Sequence, residues 1–341
     1  MKACYFMGNR KFEVKEVNKP EVMPGWALVK NMCCGVCGTD VHIYHGEPGS
    51  ADVVPPIVLG HEYSGIVEAI GSGVTNVVVG DHVTIDPNIY CGECSYCQNG
   101  KKQLCEKMQA VGVTMDGGFA EYSLVPSGQL FRLNKDIPFE FGAMAEPIAC
   151  CIHGIDLAKI KVGQSVCIVG GGAIGLIMAQ LAKLSGASIV IVSEPSKKRR
   201  EIAMEVGVDL TVNPFEENYT DVVREFTGED GVDVVIECVG NIPAVQSAFD
   251  LAKKGAMILL FSVPKVDAVY QLKLFDIFKK ELTVRGSFVN PDTHLRAVSL
   301  INAAKINLTP IITHFYSIEE VEQAIFMQMN DESVKVIVNC K

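Results

Sequence analysis

The segment Ser165–Gly175, read SVCIVGGGAIG, leaves this chain few folds to choose from. Ser165-Val166-Cys167-Ile168-Val169 is a short apolar run suited to a buried parallel strand, and Leu176 to Leu184 is helix-like. A glycine-rich turn by itself carries little weight. Between a strand and a helix it has the context that a dinucleotide-binding βαβ unit requires. There Gly170 permits the tight turn, Gly172 lets the backbone approach a pyrophosphate, and Gly175 lets helix and strand pack closely. Gly170, Gly172, Ala173, Ile174 and Gly175 are therefore candidate cofactor-binding residues, with the free N–H groups of the helix N-terminus facing the phosphates.

Further strands extend the pattern. Ser188 to Val192 ends at Ser193-Glu194, and Glu194 falls 19 residues after Gly175. An acid at that point accepts hydrogen bonds from the ribose hydroxyls of NAD and repels the 2′-phosphate of NADP. The basic run Lys197-Lys198-Arg199-Arg200 could clasp a phosphate, but it reads as a solvated helix face. Arg199 is kept as a cofactor-binding candidate, and NAD is preferred to NADP. Val232 to Gly240 makes a fourth strand, Ala256 to Phe261 a fifth and Leu282 to Gly286 a sixth, with helical stretches between them. The fold class is α/β, with a doubly wound parallel sheet. Cofactor lies at the carboxyl ends of such strands, which puts Val239, Gly240, Phe261 and Ser262 on the nicotinamide side.

The chain before this unit has another character. From Met1 to about Val125, short apolar or alternating runs are broken by Gly, Pro, Asn and Asp, an all-β pattern. Ala27–Lys30, Tyr63–Ile70 and Asp81–Ile85 are strand-like, and Pro24-Gly25 and Gly80-Asp81 are turns. Three stretches carry chemistry. In Gly60-His61-Glu62, an imidazole and a carboxylate sit among glycines, small neighbours that would let the backbone crowd an ion. In Gly35-Val36-Cys37-Gly38-Thr39-Asp40-Val41-His42, Cys37 can offer a thiolate, Thr39 can approach a substrate oxygen, and His42 can accept a proton relayed outward. Cys33 and Cys34 have no ligand spacing and read as small buried residues.

The third stretch is Cys91, Cys94, Cys97 and Cys105, spaced C-x2-C-x2-C-x7-C. Four thiolates close a tetrahedral zinc site with no open position, so such a site is structural. It would replace a core in a lobe with few apolar residues, about residues 88–108. An iron–sulfur cluster also takes four cysteines; the closed spacing favours zinc.

Together, GVCGTDVH, GHExxGx5GxxV and the four-cysteine lobe resemble the zinc-dependent medium-chain dehydrogenases of the alcohol dehydrogenase superfamily, over essentially the whole chain. The resemblance implies a β-rich, GroES-like catalytic domain (1–150), an NAD-binding Rossmann domain (151–288) and a return of the chain to the catalytic domain through 289–341. It implies two zinc ions per chain. The catalytic ion would be held by Cys37 and His61 with Glu62 on or beside it, and the polyol-type branch supplies the remaining ligand from Glu146, directly or through water. Thr39 and His42 would form the proton relay, by way of the cofactor ribose, while His153 would be structural or at the cofactor interface. Glutamate at both 62 and 146 is similar to the sorbitol, butanediol and threonine dehydrogenase group. A polyol or vicinal diol is the substrate class this implies, with threonine or a sugar-alcohol phosphate as alternatives. Sorbitol dehydrogenases carry an Arg-Tyr pair where Val289-Asn290 stands here. A homodimer or homotetramer with its active site in the cleft between the domains is also implied.

Other classes fit less well. A net charge of −10 with one short basic run argues against nucleic acid or an anionic membrane as partner. Met1–Arg10 has no signal-peptide pattern and no window is apolar over 18 residues, so the chain reads as cytoplasmic, with its thirteen cysteines reduced. A zinc-free reductase of the same fold would lack Cys37, Glu62 and the lobe; a non-catalytic NAD sensor would lack the ligands or the relay.

Overall fold

Ten residues, Trp26–Gly35, form the longest strand and the axis of the first compact unit. The structure is a computed structural model and describes residues 1–49, 51–216 and 218–341. On one side Trp26–Gly35 pairs antiparallel with Glu62–Ile70. Its other edge takes Tyr122–Pro126 near the start of the strand and Lys335–Asn339 near its end. The sheet runs Leu130–Arg132, His82–Ile85, Glu62–Ile70, Trp26–Gly35, Lys335–Asn339, Ile312–Ser317. A second sheet holds Phe12–Glu16, Lys2–Phe6 and Ile57–Val58. Tyr63, Phe119, Leu59 and Ile85 are wholly buried in this unit, which comprises Met1–Ala149, Val289–Leu308 and Ile312–Lys341. The return through Val334–Val338 is the strand Lys335–Asn339, and its register sets Ile337 opposite Gly35, which in turn faces Glu62.

The second unit, Cys150–Phe288 with Thr309–Ile311, is built on six parallel strands. Their order is Leu210–Val212, Ile189–Ser193, Ser165–Val169, Val232–Glu237, Ala252–Leu260, Thr283–Gly286. Every residue of Ser165–Val169 is buried, as a strand covered on both faces must be. Helices Ala173–Leu184, Lys197–Glu205, Tyr219–Thr227, Ile242–Leu251 and Leu274–Lys280 alternate with the strands. The strand expected from Ala256 begins at Ala252, because a register shift between Val232 and Val234 admits extra residues. Leu210–Val212 is three residues long, too short for its pattern to mark it. Among the described residues no helix is long and apolar enough to cross a membrane.

A buried polar network fixes the point where the chain re-enters the first unit. Val289 has a φ of 45°, a left-handed conformation rare for a β-branched residue. The next residue, Asn290, is wholly buried; it donates to the Asp86 carboxylate and accepts from Asn88 Nδ2. Gln129 Nε2 donates to the carbonyls of Asp86 and Asn88. Burial pushes the Asp86 carboxyl up to about 6, against the N–H donors of Asn88 and Asn290 that favour its charge. Between the ordinary value of 3.8 and about 6 the folded chain binds the extra proton. Stability from this group is therefore full below about pH 4 and declines by up to about 3 kcal/mol as pH rises to about 6. Asp86→Asn removes that decline: the Tm of the variant relative to the parent should rise between pH 4 and pH 7, and a constant difference would show that the burial is relieved.

Candidate active site

Three side chains of the first unit converge. One ligand atom each from Cys37, His61 and Glu62 lie within 4.8 Å of one another. Cys37 ends the loop that follows the long strand and stands at the N-cap of helix Gly38–Tyr44. Its N–H donates to Asp40 Oδ2 at 2.9 Å, so the first helical turn fixes where the thiol points. His61 and Glu62 begin the neighbouring strand, both buried. Asp40 Oδ1 and His61 Nδ1 are buried, lack hydrogen-bond partners, and face each other at 3.8 Å. A ring whose Nδ1 faces a carboxylate presents Nε2 as a ligand, with the tautomer set by the acceptor behind it.

The electrostatics ask for a cation. Burial pushes the Cys37 thiol up, and Glu62 adds to that. Burial alone would lower His61, but Cys37 and Asp40, with a contribution from Glu146, raise it well above its ordinary value. Glu146 is buried in the first turn of helix Ala145–Ala158; it acts on His61 through space and is not one of the three convergent ligands. One thiol, one imidazole and one or more carboxylates is a donor set that suits zinc with a position left open. Thr39 and His42 stand three residues apart on helix Gly38–Tyr44, both half-buried.

Sequence reasoning missed the cation already there. Lys335 is buried, and its ammonium meets the Glu62 carboxylate and donates to Val36 O at 2.9 Å. Burial works against the ammonium, yet Glu62, Cys37 and Asp40 hold its pKa above the ordinary value. Gly35 is small for this reason: a Cβ there would lie 2.4 Å from Glu62 Oε2 and 2.9 Å from Lys335 Cε. The glycines flanking His61 have a different use from the one expected. A Cβ on Gly60 would strike Cys34 Sγ at 2.7 Å, and one on Gly65 would strike Lys30 O at 2.2 Å, so these glycines let strands approach rather than backbone crowd an ion. Lys335 escaped notice because it is a lone cation in an apolar strand, and Asp40 because a helix-start acid is commonplace.

The lobe forms a second cluster. The sulfurs of Cys91, Cys94, Cys97 and Cys105 lie within 4.8 Å of one another, with Cys91 and Cys97 at 4.0 Å. Zn–S bonds of about 2.3 Å set the edge of a tetrahedron at about 3.8 Å, so the four sulfurs suit that ion. The Cys97 and Glu106 backbone N–H groups hold the Cys94 thiol down at about 6, a predisposition to thiolate. Between Cys91 and Cys105 the buried side chains are Cys94 and Cys97, so the ligands themselves are the lobe's core. Cys33 and Cys34 are buried free thiols, pushed upward by burial.

In the second unit the glycine loop is organised by two carboxylates. Gly170 has a φ of 105°, and a Cβ on Gly175 would lie 1.8 Å from Gly170 O, whereas Gly172 faces open space. Glu194, buried, accepts from Gly171 N at 2.7 Å and Ser196 N at 2.8 Å. Lys197 and Lys198 are exposed, as a solvated face should be. Arg200 departs from that expectation, donating to the carbonyls of Glu194 and Pro195, and Arg199 is half-buried with its N–H on Ser196 Oγ. Glu237, which sequence reasoning passed over as one more strand residue, is buried and accepts from Val239 N, Gly240 N and Ser262 Oγ. One carboxylate thus gathers three of the four residues expected on the nicotinamide side. The fourth, Phe261, packs its ring against Gly154, where a Cβ would come within 2.9 Å. His153, beside it, is buried and held below its ordinary pKa by burial.

The chain as a whole is similar to known proteins. Residues 23–135 match the alcohol dehydrogenase GroES-like domain and residues 173–303 the zinc-binding dehydrogenase domain. The chain is 36% identical over 333 residues to an L-threonine 3-dehydrogenase of Pyrococcus horikoshii, covering 96% of this chain and 95% of that one. It is 37% identical over 339 residues to a sorbitol dehydrogenase of Halalkalibacterium halodurans, covering 97% and 96%. A zinc-binding dehydrogenase of Sinorhizobium meliloti 1021, solved with NADP bound, superposes with a TM-score of 0.95 at 40% identity, covering 99% of this chain and 98% of that one.

Removing one partner from a buried ion pair strands the other. Lys335→Met should cost about 3–5 kcal/mol in urea unfolding of chelator-treated protein and less when zinc is present to neutralise Glu62. Equal losses with and without zinc would detach Lys335 from the metal site.

Proposed function

The chain belongs to the zinc-dependent medium-chain dehydrogenases, enzymes that oxidise alcohols with a nicotinamide dinucleotide, and from that premise we propose that its substrate is a secondary alcohol bearing a second heteroatom on the adjacent carbon, a vicinal diol or polyol. The two curated relatives are named for threonine and sorbitol, both of which carry a secondary hydroxyl beside a carbon with an amine or another hydroxyl. The observation that carries the reading is the convergence of Cys37, His61 and Glu62 at the foot of the helix bearing Thr39 and His42. Asn290, engaged with Asp86 and Asn88, is not available to hold a long polyol in the way of an Arg-Tyr pair, which favours a short diol.

When bound, zinc acts as a Lewis acid toward the substrate oxygen and the nicotinamide takes the hydride. Cys37, His61 and a carboxylate, Glu62 or Glu146, would hold the ion, and Cys91, Cys94, Cys97 and Cys105 the structural one. Asp40 orients His61. Thr39 takes the hydroxyl proton while giving up its own, and His42 receives it. Gly170, Gly172, Ala173, Ile174 and Gly175 would cradle the pyrophosphate, Glu194 would hold the ribose, and Val239, Phe261 and Ser262 would lie at the nicotinamide. The buried carboxylate of Glu194 favours NAD, although the Sinorhizobium relative is a complex with NADP. Thirteen cysteines with no disulfide among them suit a cytoplasmic enzyme.

A screen of NAD reduction over 2,3-diols, polyols, threonine and sugar-alcohol phosphates tests this. Short vicinal diols should react best. Cys37→Ser should lower kcat/KM at least about a hundredfold and leave one zinc per chain by atomic emission. Full turnover by chelator-stripped protein would end the proposal.

A homo-oligomer belongs to the same reading. Thr283–Gly286 closes one edge of the six-stranded sheet with all four residues exposed, beside exposed Leu274, Phe275 and Phe278. An open sheet edge next in sequence to a helix with exposed apolar side chains is a surface that natural chains cover, and a second copy would cover it. Light scattering should give at least twice 36.9 kDa, and Val284→Lys should lower it; a monomer in both cases refutes the arrangement.

A further inference from the structure

Helix Gly38–Tyr44 ends in a way that bears on His42. His45 is its C-cap, and Gly46 follows with a φ of 82°. Gly46 N–H donates to Ile43 O at 3.0 Å and Glu47 N–H to His42 O at 2.9 Å. These two bonds define a Schellman motif, whose geometry brings the residue two beyond the cap against the residue three before it. That contact is commonly apolar. Here it joins an imidazole and a carboxylate, His42 Nδ1 to Glu47 Oε2 at 2.5 Å, with the side chains 27% and 39% exposed. A half-exposed ion pair adds little to stability, so its presence at this spot calls for another use.

The tautomer follows from the partner. An ionised carboxylate only accepts, so His42 Nδ1 carries the hydrogen and Nε2 is left as a base. The other charged groups of the neighbourhood are directed elsewhere. Asp40, on the same helix, turns inward to Cys37 N–H and His61. His45 meets Met329 Sδ, and Glu322, from the helix Val321–Gln328, accepts from Tyr44 Oη. Glu47 is the more exposed member of the pair, 39% against 27% for His42, so the ring has its carboxylate on the solvent side.

Resting on the dehydrogenase reading above, we propose that Glu47 is a positioning residue of the proton path: it holds His42 with Nε2 free to accept, and stabilises the imidazolium formed when the proton arrives. The balance is simple. The alcohol loses a hydride to NAD⁺ and a proton to His42 Nε2; the ring returns to neutral by releasing one proton to water, giving ketone, NADH and H⁺. In the reverse direction the same imidazolium supplies the proton.

The test is NMR of the His42 ring in protein without cofactor, assigned with His42→Gln, for the parent, Glu47→Gln and Glu47→Asp. The parent should show the Nδ1–H tautomer. In Glu47→Gln the tautomers should mix, since an amide can donate to Nδ1 as well as accept from it. Glu47→Asp should restore the Nδ1–H form in part. In turnover, Glu47→Gln should lower alcohol oxidation at pH 7 by roughly three- to tenfold. An unmoved His42 tautomer would overturn the role of Glu47 whatever the activity. A parent protein that shows the expected tautomer yet oxidises no alcohol would overturn the dehydrogenase reading instead.

Discussion

Burying several acids around one imidazole is possible only if something positive is buried with them. Cys37, Asp40, Glu62 and Glu146 all act on the space around His61, and an uncompensated carboxylate in such a place is costly. Lys335 supplies the protein's own share of that charge, and the strand register Ile337–Gly35–Glu62 brings it there. Much of the first unit is arranged to allow this one pair: a glycine at position 35, a long central strand, and a final strand inserted beside it. The ion implied by the donor set would complete the neutralisation and leave room for one more ligand.

The second unit shows the same logic with a different purpose. Glu194 and Glu237 stand at the ends of adjacent-but-one strands, each collecting backbone N–H groups from loops that would otherwise be free to move. A loop tied down in advance gives up less entropy when a dinucleotide arrives. Glycine provides the room in this unit, and buried acid provides the shape.

How much was legible in the sequence depends on whether a feature is local. The glycine loop, the four-cysteine spacing and the Cys37–His42 segment announce themselves because each is a short run whose spacing is fixed by the chemistry. The strand Leu210–Val212 was invisible because three residues hold no period. Lys335 was invisible because its meaning comes from Glu62, 273 residues away in sequence. Glu237 looked like any strand residue until its neighbours from a different loop were in place, and Asn290 was recognisable as an absence of Arg-Tyr but not as the keystone of a buried amide network. The glycines around His61 were noticed for the right reason, close approach, and assigned the wrong neighbour.

That separation has a consequence for the order of assembly. The four sulfurs of the lobe span Cys91 to Cys105, so they can capture an ion soon after they leave the ribosome. The centre formed by Cys37, His61 and Glu62 has its ligands early in translation but its counter-charge only after the nucleotide unit has been made. Before Lys335 is made, the thiol and carboxylates of that centre have only a metal ion to neutralise them, so the strand that closes the first unit would weaken, not create, the pull of the site on a cation.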